Sequence, residues 1–241
     1  MTAPVRKSVE LFYDVISPYS WIAFEVLCRY NKRWNMDLKL KPFFLGGIMQ
    51  GSGNKPPALV ANKAQYMIHD LNRLANYYAV PINLQSFATH NDVVNSFQDF
   101  FHVMFTKGSL SAGRYITAVD MKKPEYTEQV SRELWFRIWN RDEDATDSNS
   151  LRQAGKKAGL SDDFNDECVE KVKDQAVKDR LKHHTQEALD LGAFGSPTII
   201  ANINNKKELI FGTDRFLILA SMLGEEWQGP LVELSKCKDP N

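Results

Sequence analysis

VELFYDVISPYSW (residues 9–21) joins two kinds of pattern. Val9, Leu11, Tyr13 and Val15 alternate along a largely apolar run, which predicts a strand over residues 8–15. Ser17 then has the chemistry of an N-cap, and Pro18 suits the first helical position, where a missing N–H costs nothing. Trp21, Phe24, Leu27 and Cys28 continue a helical pattern that extends toward Trp34. Residues 36–43, MDLKLKPF, alternate again through Met36, Leu38 and Leu40. The chain therefore opens β-α-β, about the size of a right-handed crossover between parallel strands.

Downstream the character changes. GSGNKPP (51–57) is a loop signal. Helical patterns follow: residues 60–78 with Tyr66, Leu71 and Leu74, then residues 91–106 with Val94, Phe97, Phe101 and Phe105. A short helix is expected in SLSAGRYITAV (109–119), and another over residues 126–140 with Val130, Leu134, Ile138 and Trp139. RDEDATDSNS (141–150) is a charged loop whose Ser150, or a neighbour, caps the next helix. Two helices are expected to fill residues 150–192, ending near Gly192. PTIIAN (197–202) and KELIFG (207–212) read as strands of a hairpin turned at Asn204-Asn205. Thr213 or Asp214 is expected to cap a last helix through Leu217, Leu219, Ala220 and Leu223. The fold class is α/β: a β-α-β opening and a β-β-α ending make the thioredoxin plan, with an all-helical domain inserted. The split thioredoxin-like domain is expected over residues 1–64 and 186–241, and the insertion over 65–185.

Composition narrows the function classes. The 241 residues carry 30 Lys and Arg against 30 Asp and Glu, a formal net charge of zero. That balance argues against a nucleic-acid partner and against a polybasic membrane patch. No apolar run reaches the ~18 residues of a membrane span. MTAPVRKSVELF has no apolar core before the first strand and does not read as a signal peptide. KCKDPN does not end in a peroxisomal SKL-type tripeptide. The three cysteines (Cys28, Cys168, Cys237) form no CxxC, and the five histidines show no metal-ligand spacing. No metal is expected, and a reducing intracellular compartment fits.

A thioredoxin plan places its reactive group where the first strand meets its helix. Unpaired amides and the positive dipole end favour a thiolate there. Where redox members carry Cys-x-x-Cys, this chain carries Ser17-x-x-Ser20. Neither serine exchanges disulfides, but a hydroxyl donates to a thiolate carried by a small thiol such as glutathione. Taken alone, the four residues read as a structural cap. The two roles are compatible, because a capping oxygen accepts while its own proton stays free.

AFGSPTII (193–200) puts Pro197 directly before a central strand, where a proline lacks a ladder donor. In thioredoxin folds this slot takes a cis-proline, and the residue before it, here Ser196, offers its backbone to an extended peptide-like ligand. A strand-starting proline in an ordinary turn fits the letters equally. In FGTDR (211–215), Thr213 and Asp214 suit a ligand's ammonium and carboxylate, although such residues are more often plain caps. Arg215 reads as solvated, with a carboxylate clamp as the lesser role.

These segments resemble one family. VELFYDVISPYSW, GIMQGSGNKPP, KGSLSAGRYITAV, SRELWFRIWNRDED, GAFGSPTI and LIFGTDR are similar to the kappa class of glutathione transferases, in order and over residues 8 to about 230. The resemblance implies a homodimeric enzyme of mitochondria or peroxisomes that conjugates glutathione, its co-substrate, to small hydrophobic electrophiles in detoxification, and that needs no further cofactor. It implies that Ser17 hydrogen-bonds the glutathione sulfur and that Pro18 and Tyr19 line the same turn. Asn54 and Lys63 correspond to polar contacts with the tripeptide at its glycyl end. The Ser196 backbone pairs the cysteinyl part beside Pro197, with serine where the family often has leucine. Thr213 and Asp214 correspond to contacts with the γ-glutamyl end, and Arg215 to an arginine near the subunit interface.

Trp135, Phe101 and Trp139 read first as core, with an electrophile pocket as the lesser reading. His69, His90 and His102 read as structural or surface residues. Cys28 lies about three turns into its helix, too far along to replace a redox cysteine. Conjugation, or peroxide reduction by the same thiolate, leads. The alternatives are a glutathione-dependent isomerase of the 2-hydroxychromene-2-carboxylate type and a non-enzymatic thioredoxin-like interaction module.

Overall fold

The computed structural model of the chain describes residues 7–84 and 108–237. Strand β1 (Lys7–Tyr13) leads through the Ser17-Pro18 turn into helix α1 (Pro18–Arg33), which returns to β2 (Met36–Pro42). β1 and β2 pair in parallel, from Lys7 opposite Met36 to Tyr13 opposite Pro42. The far end of β1 is buried on both faces, which is why Leu11, Phe12 and Tyr13 follow one another as an apolar run, while Lys7, Ser8 and Glu10 are only partly buried. Val9, Leu11 and Tyr13 join the core under α1, and Phe12 joins a second cluster with Phe43, Ile48 and Ile200 on the other side.

The next helix, α2 (Leu45–Ser52), falls partly where a loop was expected. Its glycines hid it. A Cβ at Gly51 would come within 2.6 Å of the Leu189 side chain, so any larger residue there would require that leucine on a later helix to move. The loop begins only at Gly53, whose φ of 72° ends the helix in the left-handed region. α3 (Ala61–Tyr78) follows, with Ala64, Met67, Leu71 and Ala75 on its buried face and Tyr66 exposed. The helix expected over residues 91–106, with Phe101 and the nearby His90 and His102, lies outside the described residues. His69 is exposed.

α4 (Leu110–Lys122) and α5 (Thr127–Trp135) come next, and α5 continues as a π-helical turn over Phe136–Asn140. Three helices, not two, occupy the following stretch: α6 (Ser148–Lys157), α7 (Asp162–Lys171) and α8 (Gln175–Asp190). The break before α8 carries neither Gly nor Pro, so composition gave no sign of it. The cap of α6 is Asp147, which accepts from the amides of Asn149 and Ser150. α3 and α8 each run unbroken through positions 64/65 and 185/186, where the sequence divides the chain.

β3 (Thr198–Ile203) runs antiparallel to β1, with Phe12 opposite Thr198, and to β4 (Lys206–Phe211), giving the order β2-β1-β3-β4. Asn204 and Asn205 both take positive φ (51° and 62°), the backbone of a tight two-residue hairpin turn that asparagine tolerates. α9 (Phe216–Leu223) closes the fold. Neither Thr213 nor Asp214 caps it. Arg215 holds the N-cap position without a side-chain capping bond, and the two expected caps belong to the turn before it. Among the described residues no helix is long and apolar enough to cross a membrane.

One buried histidine ties α8 to the sheet. His184 is 2% exposed, and its Nδ1 lies 3.0 Å from the Pro42 carbonyl. Burial pushes its imidazole down from 6.5 to about 4, against the opposing pull of that carbonyl. The unfolded chain takes up this proton near pH 6.5, the folded chain only near 4. The stability His184 contributes is therefore full above pH 6.5 and is lost as pH falls toward 4, by up to about 3 kcal/mol. Urea midpoints at pH 7 and 4.5 should fall further for this chain than for His184→Gln. Equal falls would remove His184 as the cause.

Candidate active site

The β1–α1 turn is held from behind by distant residues. The indole Nε1 of Trp135 donates to the Ser17 carbonyl at 3.2 Å, and that of Trp139 donates to the Val15 carbonyl at 3.2 Å. Both tryptophans are fully buried, so they act as core and as braces rather than as an electrophile wall. Asp14 accepts from the amides of Ile16 (3.1 Å) and Leu45 (2.8 Å) and from the Ser109 hydroxyl (2.8 Å). Burial raises its carboxyl above the usual range, and these three donors oppose the rise. Asp14 thus joins the turn, α2 and the start of α4 through one carboxylate.

Ser17 has extended backbone (φ −92°, ψ 113°) and caps α1, its Oγ accepting from the Ser20 amide at 3.1 Å. Pro18 fills the first helical position, and no acidic residue in the first turn offsets the positive end of the helix. The Ser17 hydroxyl donates to the Ser196 carbonyl at 3.4 Å, a long bond. The Ser196–Pro197 peptide is cis. The Ser196 Oγ lies 2.6 Å from that of Ser20.

These groups face a cavity of about 1000 Å³. Nine of the ten residues singled out in sequence line it: Ser17, Pro18, Tyr19, Asn54, Lys63, Ser196, Pro197, Thr213 and Asp214. Arg215 is not among the lining residues; it is exposed and pairs with the Asp214 carboxylate. Asn54 donates from Nδ2 to the Phe194 carbonyl at 2.7 Å, which ties the 53–57 loop to the cis-proline turn. Thr213 is buried, with its carbonyl accepting from the Tyr78 hydroxyl at 3.4 Å. Lys63 is exposed near the start of α3. Among the described residues no group of three or more His, Cys, Asp or Glu could hold a metal ion.

The family model for the DSBA-like thioredoxin domain matches residues 8–224. Glutathione S-transferase kappa 1 of Homo sapiens is 45% identical over 228 residues, covering 95% of this chain and 96% of that protein. The chain belongs to the kappa class of glutathione transferases, within the DsbA-like thioredoxin family. The kappa 1 protein of Rattus norvegicus is 44% identical, with the same coverage. Among solved structures, a 2-hydroxychromene-2-carboxylate isomerase superposes with a TM-score of 0.67 over 90% of this chain and 94% of its own. At 17% identity that likeness speaks to the fold alone.

In this kappa-class chain the cavity also has walls that motif reading missed. Phe194 and Phe211, with ring centroids 4.4 Å apart, are partly exposed on the side of the cis-proline turn. They flank the GSP and GTD segments, and aromatics beside such turns were the available signal. Asp70 on α3 accepts from the hydroxyls of Tyr19 (2.9 Å) and Tyr66 (3.3 Å). Burial and then the Asp70 carboxylate keep the Tyr19 hydroxyl protonated far above its usual range. Nothing in the spacing of residues 19, 66 and 70 announces that cluster.

Proposed function

We propose that this kappa-class enzyme binds glutathione extended across the cavity and ionises its thiol at Ser17. The cysteinyl part lies beside Ser196 and Pro197. Its glycyl end reaches Asn54 and Lys63, and its γ-glutamyl end reaches Thr213 and Asp214. The thiolate accepts a hydrogen bond from the Ser17 hydroxyl, while the thiol proton leaves to water. The sulfur then forms a bond to an electrophilic carbon as that carbon's bond to its leaving group breaks; with an aryl halide, halide departs with the electron pair. The observation that carries the reading is the Ser17 hydroxyl itself: its oxygen accepts from the Ser20 amide, and among the described residues its proton is held only by a 3.4 Å bond to the Ser196 carbonyl in the same cavity. The remaining apolar wall, with Met67, Phe194 and Phe211, suits a small hydrophobic electrophile. The homodimer, the mitochondrial or peroxisomal address and a part in detoxification belong to the same reading and are carried by the family resemblance alone.

The test is conjugation of glutathione to an aryl halide, read by thioether absorbance, beside glutathione affinity for Asp214→Ala. Asp214 is exposed and pairs with Arg215, so its loss leaves the fold intact. Glutathione should bind that variant about tenfold more weakly, the size of one charge-assisted hydrogen bond. Unchanged affinity would remove Asp214 from the site. Absence of conjugation, together with isomerisation of 2-hydroxychromene-2-carboxylate, would transfer the chain to the isomerase reading.

A further inference from the structure

Three hydroxyl-bearing groups meet at the cis-proline turn, and their protons can be counted. Ser20 is fully buried and is not among the residues lining the cavity, whereas Ser196 is partly exposed and lines it. Their oxygens lie 2.6 Å apart. Among the described residues the Ser20 Oγ has no other hydrogen-bond partner. A single proton lies between the two oxygens. If Ser196 supplied it, the Ser20 proton would be buried with no acceptor, an arrangement folded proteins avoid. Ser20 is therefore the donor, and the Ser196 proton is left to the cavity. Ser17 bounds the same corner, since its Oγ reaches the Ser196 carbonyl.

We propose that the Ser196 hydroxyl is a second donor to the glutathione sulfur, with Ser20 as the positioning residue behind it. The proposal rests on the reading that the sulfur of glutathione lies at Ser17. Donation by Ser20 polarises the Ser196 O–H, because hydrogen bonds in a chain strengthen one another. Hydrogen bonds to the charged form favour ionisation, so each donor lowers the pKa of the bound thiol. Both serines stay neutral throughout, and the thiol proton passes to water. The catalytic corner then resembles an anion hole built from side chains, with Ser17 on the helix side and Ser196 on the strand side.

The pH dependence of thiolate ultraviolet absorbance, with glutathione bound, tests this. The comparison takes the unsubstituted chain, Ser17→Ala, Ser196→Ala, Ser196→Thr and Ser20→Ala. Ser196→Ala should raise the bound thiol's pKa by about one unit. Its glutathione affinity should stay unchanged at a pH where the thiol is neutral. Ser196→Thr keeps the hydroxyl and should keep the pKa, and Ser20→Ala should raise it by a smaller amount. A merely structural Ser196 would leave the titration where it was. An unmoved pKa in Ser196→Ala, with a raised one in Ser17→Ala, would overturn the proposal and leave the function standing. Equal rises in the Ala and Thr variants would overturn it too, by assigning the effect to shape rather than the hydroxyl. If the unsubstituted chain forms no thiolate below the free thiol's ordinary pKa of ~8.5, the functional reading falls and takes Ser196 with it.

Discussion

Ser17→Ala should lower conjugation turnover by roughly 10–100-fold while glutathione affinity changes little. Ionising a thiol of pKa ~8.5 at neutral pH takes a drop of about two units, roughly 2.7 kcal/mol. An exposed helix N-terminus supplies about 0.3–1 kcal/mol, and a partly buried one up to ~2. The positive end of α1 alone therefore falls short, and a hydrogen bond to a charged group, worth roughly 1.5–3 kcal/mol, completes it. In the proposed role the effect belongs to turnover, because that bond is made to the thiolate and not to the neutral thiol. The substitution also removes a cap, since Ser17 Oγ accepts from the Ser20 amide, and that costs about 1 kcal/mol of stability. Thermal melting separates the two losses: the cap loss lowers the midpoint by a few degrees and leaves the folded enzyme to be assayed. Turnover equal to that of the unsubstituted chain would end the role assigned to Ser17.

Local chemistry was legible in the sequence wherever a few neighbouring residues determine the outcome. The alternation of Val9, Leu11 and Tyr13 marked β1, Ser17-Pro18 marked the start of α1, and Asn204-Asn205 marked the hairpin. Pro197 before an apolar strand pointed to the cis peptide that the structure contains. What stayed hidden depends on partners far along the chain. α2 was lost among glycines that pack against Phe44, Thr185 and Leu189, the last two far along the chain, and the break before α8 left no compositional mark. Trp135 and Trp139 looked like core residues, and they are, but their indole bonds to the Ser17 and Val15 carbonyls span more than a hundred residues. Asp70 is in the same position: its tie to Tyr19 joins two helices, and neither helix pattern contains it. The candidate site could thus be named as a set of residues from motifs, while its bracing and its aromatic walls needed the fold.

That bracing sets the second large effect. Arg132→Met should destabilise the chain by roughly 3–5 kcal/mol, because it strands a buried carboxylate. Glu25 on α1 has a side chain only 1% exposed, and Arg132 on α5 one only 9% exposed. Their contact is two-pronged: Arg132 Nε donates to Glu25 Oε1 at 2.7 Å and an outer nitrogen donates to Oε2 at 3.2 Å. Trp21 Nε1 adds a third donor to Oε1 at 3.2 Å. Burial disfavours the Arg132 charge, yet the Glu25 carboxylate outweighs it and holds the guanidinium ionised above its usual range. Arg132 also lies over the Phe24 ring at 5.2 Å and bonds Glu128 at 2.9 Å one turn back on α5. Removing the arginine leaves the buried Glu25 carboxylate with the Trp21 indole and the Cys237 thiol as donors and with the Arg29 charge nearby, none of which replaces the two-pronged contact. Urea unfolding should show the full loss. Glu25→Met combined with Arg132→Met should cost less than Arg132→Met alone, since an apolar pair leaves no stranded charge. A single-variant loss under about 1 kcal/mol would mean that the carboxylate finds water or a proton without the arginine. The pair would then be no brace between α1 and α5. The expected large loss carries a functional consequence as well, because Trp135, one turn beyond Arg132 on α5, is the residue whose indole holds the Ser17 carbonyl. An α5 that shifts against α1 moves that indole, and the Ser17 hydroxyl proposed to meet the thiolate moves with it.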